Sequence, residues 1–155
     1  MLNLEYKKQV PFSAKQMFDL VMDIESYSDF LPWCEKAEIM QRVSDNELVA
    51  DLEIEFKSLK ARYTSTINSI SNPPNYSIDI KSNHMFFNYF ISRWDFMEND
   101  KGSLVVFKFN LKMKLSFFER FLVSSLDTVG NEIVELSAKG PKSSIRQKNY
   151  KSDNS

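Results

Sequence analysis

From residue 38 to 115 the apolar residues of this chain recur at every second position, which restricts its middle to extended strands with one buried face. Leu48, Ala50, Leu52, Ile54 and Phe56 alternate with Val49, Asp51, Glu53, Glu55 and Lys57. Val105, Phe107, Phe109, Leu111, Met113 and Leu115 alternate in the same way with Val106, Lys108, Asn110, Lys112 and Lys114. Weaker alternation at 39–43, 63–70, 76–80 and 90–97 predicts four more strands. Only three glycines occur, so turns fall on the Asn, Asp, Ser and Pro clusters at 44–46, 71–75 and 98–102. Short turns between consecutive strands are what an antiparallel meander requires.

Helical patterns flank this block. An extended stretch at 2–10 ends at Pro11. Ser13 and Gln16 then have the spacing of a capping box, and Phe12 and Met17 that of a hydrophobic staple. Met17, Phe18, Val21 and Ile24 form one apolar face. A second short helix is expected at 27–31, with Ser26 as its cap and Pro32 as its stop. After the last strand comes the longest helix, opened by a capping box at Ser116 and Glu119 and closed by Gly140-Pro141. Phe118, Phe121, Leu122, Leu126, Val129, Ile133 and Leu136 make a continuous stripe along roughly 33 Å of it. The fold class expected is α+β, a curved antiparallel sheet of about six to seven strands wrapped around the long C-terminal helix in a helix-grip.

The chain has 155 residues, 43% hydrophobic and 14% aromatic, enough for one domain with a large apolar interior. Residues 1–139 are expected to form it, and 140–155 a basic, mobile tail. The net charge of −1 gives no general attraction to a polyanion, so no DNA partner is expected. A single cysteine, Cys34, excludes an internal disulfide and fits a reducing compartment. The N-terminal residues lack the pattern of a signal or transit peptide, and no apolar run is long enough to span a bilayer. A cytoplasmic protein is expected, or one peripheral to the inner membrane. His84 is the only histidine and has no partner at a catalytic spacing. One Cys and one His form no metal set, and no Gly-rich phosphate loop is present. Neither enzymatic activity nor a metal or cofactor is expected.

Residues 23–34 read DIESYSDFLPWC and place aromatics and a Pro directly after the first capped helix. Together with Val10-Pro11-Phe12-Ser13, Gln16-Met17-Phe18 and Val21, this run resembles the N-terminal part of the coenzyme Q-binding START-domain proteins. Their bacterial relatives, the ribosome association toxin RatA group, share it. The resemblance continues through 52–57, Tyr63-Thr64-Ser65, Trp94-Asp95-Phe96 and the closing helix, covering residues 5–139. It departs at Asn83-His84-Met85-Phe86-Phe87, where such proteins usually carry a Gly-Pro-Phe turn, and at Asp127-Thr128-Val129-Gly130, where they are more apolar.

The group is similar in fold to polyketide cyclase-like START domains, and the resemblance implies a cavity between sheet and long helix that the periodicity itself only permits. It implies non-enzymatic binding and chaperoning of ubiquinone or a related isoprenoid lipid, carried rather than used as a cofactor, in support of quinone-dependent respiration. Transient contact with a membrane would accompany delivery. The toxin-like relatives imply an alternative, ribosome binding that interferes with subunit association. On this reading Phe56, Tyr63, Trp94, Phe96, Phe107, Phe109, Phe121, Leu122, Leu126 and Val129 line the cavity, and Pro32 and Trp33 gate it. The Tyr63 hydroxyl would donate to a quinone carbonyl.

Overall fold

The computed structural model describes residues 2–32, 34–56, 59–84, 87–114 and 131–140, with backbone alone at 56, 59, 87 and 113. Seven strands, β1 (Leu2–Val10), β2 (Cys34–Ser44), β3 (Glu47–Phe56), β4 (Leu59–Asn72), β5 (Asn75–Asn83), β6 (Phe87–Asn99) and β7 (Gly102–Met113), form one sheet. Its order is β1-β7-β6-β5-β4-β3-β2. The last six strands are an uninterrupted antiparallel meander, and β1 adds to the outer side of β7, from Leu2 opposite Leu111 to Val10 opposite Ser103. Helix α1 (Ala14–Met22), a 3-10 turn (Ile24–Ser26) and α2 (Tyr27–Phe30) carry the chain from the β1 edge to the β2 edge.

Period two becomes a layered interior because each antiparallel pair keeps like parity on one face. Leu48, Ala50, Leu52, Val105, Phe107, Phe109 and Leu111 are all buried, as their alternation predicts. Val106 departs from that pattern and is 4% exposed. It stands opposite Lys7 on β1 and Asp95 on β6, so longer neighbours on both sides leave little of its short side chain uncovered.

The entry to α1 is fixed by three bonds. Ser13 Oγ accepts from the Gln16 amide at 3.1 Å, Gln16 Oε1 accepts from the Ser13 amide at 2.9 Å, and Glu98 Oε2 accepts from the Ala14 amide at 2.8 Å. Together they satisfy three of the orphan amides at the start of the helix. Ser26 does not cap α2. Its backbone is already helical, at φ −88° and ψ −3°, because the 3-10 turn runs straight into α2. Its hydroxyl donates to Asp23 Oδ2 at 2.7 Å instead. The helix ends at Phe30, one residue before the expected Leu31.

The β6–β7 turn packs on the β1–α1 junction. Gly102 has φ +132°, and a Cβ there would lie 2.2 Å from the Val10 carbonyl oxygen, so only glycine fits. Next to it Ser103 Oγ donates to the Phe12 carbonyl at 2.8 Å.

Of the residues expected to form a long C-terminal helix, 131–137 are described and are helical. Val134 and Ser137 are buried against the core, and Lys8 on β1 meets Glu135 at 3.0 Å. The remainder, 115–130, with Phe118, Phe121, Leu122, Leu126, Val129 and Gly130, lies outside the described residues, as does the tail from 141. Among the described residues no helix is long and apolar enough to cross a membrane.

Candidate functional site

The inner face of the sheet and the helices packed on it enclose a cavity of about 120 Å³. Strand register builds its floor. Ser65 on β4 pairs with Ser82 on β5, which pairs with Phe90 on β6; Ile67 pairs with Ile80, which pairs with Ser92; Trp94 pairs with Phe107 on β7. Leu52 and Ile54 on β3 and Tyr63 on β4 extend the floor, and Val21, Tyr27, Phe30, Leu31 and Cys34 wall one side. Ile133 and Ser137 of the C-terminal helix complete the described lining.

The aromatic wall is mutually braced. Trp94 lies 4.4 Å from Phe107, centroid to centroid, and stacks on Phe96 at 5.8 Å, while Tyr63 meets Phe90 at 6.3 Å. Such contacts add to the simple burial of area and hold the rings in place.

Hydroxyls interrupt the apolar surface. Ser65 Oγ and Ser82 Oγ share a hydrogen bond of 2.7 Å. Ser92 and Ser137 are 4% and 2% exposed. Among the described residues their hydroxyls, and that of Tyr63, have no hydrogen-bond partner. The Tyr27 hydroxyl donates to the Val21 carbonyl and ties α2 to the end of α1. Burial holds the Tyr27 phenol well above its ordinary pKa, with Tyr63, Cys34 and Asp23 adding to the effect. Burial does the same for Tyr63, with Cys34 adding. Both are therefore neutral donors at physiological pH.

Of the residues expected at the cavity, Tyr63, Trp94 and Phe107 line it. Phe96 and Phe109 are buried in the core beside the wall, where Phe96 backs Trp94 and Phe109 stacks on Phe90 at 6.0 Å. Pro32 is exposed and off the wall. Trp33, the Phe56 side chain, Phe121, Leu122, Leu126 and Val129 lie outside what is described. Sequence reasoning passed over the serines. Ser65 shares parity with Tyr63, Ser82 with Ile80 and Ser92 with Trp94, a signal that a search for polar residues on the apolar face would have found.

The site can hold a small apolar group. At about 120 Å³ it is somewhat smaller than the roughly 150 Å³ cavity that accepts benzene, so it takes a small apolar group or part of a ring rather than a long chain. The three hydroxyls that have no partner among the described residues can donate to acceptor oxygens on a bound group. Among the described residues no group of three or more His, Cys, Asp or Glu is placed to hold a metal, and neither a carboxylate nor a histidine is found on the wall.

Comparison with known proteins agrees with this architecture. Residues 10–135 match the family described as polyketide cyclase / dehydrase and lipid transport. The ribosome association toxin RatA of Rickettsia prowazekii (strain Madrid E) is 35% identical over 133 residues, covering 85% of this chain and 90% of that protein. The mitochondrial coenzyme Q-binding protein COQ10 of Dictyostelium discoideum is 24% identical over 134 residues, 82% of this chain and 64% of that protein. The chain thus spans slightly less than two thirds of that relative's length. Among solved structures, the Zhui aromatase/cyclase from Streptomyces sp. R1128 superposes with a TM-score of 0.79 at 14% identity, over 89% of this chain and 92% of that one. At that identity the likeness is one of fold. With its seven-stranded antiparallel sheet, its helices on the inner face and a match over residues 10–135, the chain belongs to the polyketide cyclase / dehydrase and lipid transport family.

Proposed function

We propose that this protein binds and chaperones a ubiquinone-like isoprenoid lipid without transforming it, the ring held in the cavity and the tail leading out of it. The observation that carries this reading is an apolar cavity of about 120 Å³ whose floor bears the hydroxyls of Tyr63 and Ser92 beside the Ser65–Ser82 pair. Quinone carbonyls accept hydrogen bonds and donate none, and the wall supplies neutral donors. Burying roughly 150 Å² of ring at about 25 cal/mol per Å² contributes about 4 kcal/mol. That driving force needs no catalytic group, and the described wall has no acid–base pair. Relatives named for coenzyme Q binding support the choice of ligand. The lipid would come from and return to a membrane by transient peripheral contact, which places the protein in the cytoplasm or at the inner membrane surface.

The test is direct. Trp94 lines the cavity, so a short-chain ubiquinone bound there quenches its fluorescence. In a Trp33→Phe background, which leaves Trp94 as the sole tryptophan, saturable quenching is expected, together with ubiquinone in the organic extract of protein purified from a quinone-producing host. Absence of both quenching and extracted quinone would overturn the reading.

A second reading is favoured by the Rickettsia relative, which is named a ribosome association toxin and matches along 90% of its own length. On it the chain associates with the ribosome and interferes with subunit joining. Co-sedimentation with ribosomal subunits that weakens steeply as salt is raised is the expected result. Its absence at low salt would remove this reading.

A further inference from the structure

The outer face of the sheet, opposite the cavity, divides into two electrically different halves. Two ion pairs join β3 and β4: Arg62 with Asp51 at 3.0 Å and Lys60 with Glu55 at 3.9 Å. Thr64 also donates to Asp51 at 2.7 Å. On β5, β6, β7 and β1 the carboxylates are also engaged. Asp79 and Asp95 hold Arg93, at 2.9 and 3.2 Å, and Glu5, which stands opposite Lys108, lies 3.3 Å from Lys7. Lys81, Lys108 and Lys112 remain. All three are exposed, and among the described residues none has an ion-pair or hydrogen-bond partner.

Register places these three lysines together. Lys81 pairs with Ile91, Ile91 with Asn110, and Lys108 and Lys112 flank Asn110 two positions away along β7. From the strand rise and spacing their Cα atoms form a triangle with edges of about 12 to 14 Å. Exposed Lys114 continues the β7 row. No exposed carboxylate within the triangle answers this charge, although the whole chain carries −1.

We propose that this face docks on the phosphate backbone of a folded RNA. The inference rests on the ribosome-associating reading and names the surface it would use. Charge complementarity identifies the partner as polyanionic, and the shape of the face separates RNA from a bilayer. A membrane-binding surface buries an apolar face among its cations. Here Ile91, 38% exposed, is the one large aliphatic side chain exposed within the triangle. Among the described side chains of β4 and β6 the other exposed large apolar residues are Met97, six positions along β6 from Ile91, and Ile70, on a different strand. Cations held at fixed spacing on a rigid sheet suit duplex RNA, which is recognised largely by shape and by phosphate and ribose contacts.

The experiment measures binding of a fluorescent 20-base-pair RNA hairpin by anisotropy. It compares the wild type, the triple variant Lys81→Gln/Lys108→Gln/Lys112→Gln, and a control with two ion-paired lysines changed, Lys7→Gln/Lys60→Gln. Three phosphate contacts give a slope of log K against log salt of about −2 to −3, and each lysine removed reduces its magnitude by about one. The triple variant is expected to weaken binding at least tenfold with an unchanged melting temperature, and the control to bind as the wild type does. Equal binding by the triple variant, equal loss in the control, or binding only to vesicles containing phosphatidylserine overturns the proposal. Ribosome co-sedimentation is run alongside. If the triple variant co-sediments as the wild type does, the ribosome reading stands and this surface fails. If the wild type does not co-sediment yet loses hairpin binding through the three lysines, the surface stands and that reading fails.

Discussion

Ser65 and Ser82 face each other across β4 and β5 with their hydroxyl oxygens 2.7 Å apart in the floor of the cavity. Each is the other's partner on a mainly apolar wall, so removing one leaves the other unsatisfied while removing both leaves nothing to satisfy. Ser82→Ala alone is expected to cost about 1 kcal/mol of stability, and Ser65→Ala/Ser82→Ala less than the sum of the two single changes. Urea denaturation of the four proteins closes this cycle, and strict additivity would mean that the hydroxyls do not interact.

The two cavity tyrosines are expected to separate binding from stability. The Tyr63 hydroxyl has no protein partner among the described residues, so Tyr63→Phe should leave the melting temperature almost unchanged. It should weaken ring binding by roughly threefold to tenfold, the worth of one neutral hydrogen bond. Tyr27→Phe removes the bond to the Val21 carbonyl that joins α2 to α1. It should cost about 1 kcal/mol of stability whether or not ligand is present. The reverse assignment would dissociate Tyr63 from the ligand.

These phenols also set a pH limit. Burial raises both pKa values above the ordinary 10.0, so above that pH the unfolded chain releases protons that the folded chain retains. Their contribution to stability is complete below pH 10 and is lost as pH rises beyond it. Absorbance at 295 nm is expected to show tyrosines ionising in two stages, the later one coinciding with unfolding and diminished in Tyr27→Phe and Tyr63→Phe. A single stage near the ordinary value would contradict their burial.

Two glycines clasp the β1–α1 junction, and their substitution should be unequally tolerated. At Gly102 the added Cβ meets backbone, the Val10 carbonyl oxygen at 2.2 Å. Gly102→Ala is therefore expected to destabilise by more than about 2 kcal/mol. At Gly140, φ +78°, it meets the Phe12 ring at 2.4 Å. Phe12→Ala should relieve that clash, leaving about 1 kcal/mol of backbone strain in the double variant. Chemical denaturation of the Gly140→Ala/Phe12→Ala pair measures the rescue, and none would place the cost wholly in the backbone.

What was legible in the amino-acid order was everything that a short window decides. Ser13 and Gln16 cap a helix because the reciprocal bonds span three residues, and the alternation at 48–56 and 105–111 selects a buried face because strand parity is local. The tyrosine at 63 and the tryptophan at 94 could be placed on the inner face by that parity alone. What the tertiary structure decided depends on which strands lie side by side and in what register. Ser26 was taken out of its expected cap by the turn that precedes it, and Val106 was buried by neighbours that stand 99 and 11 positions earlier, Lys7 and Asp95. Pairing of Ser65 with Ser82, alignment of Ser92 beneath the same cavity, and the grouping of Lys81, Lys108 and Lys112, none of them ion-paired among the described residues, arise across strands. A cavity is likewise the volume that packed side chains fail to fill, a property of their summed shapes that no periodicity encodes.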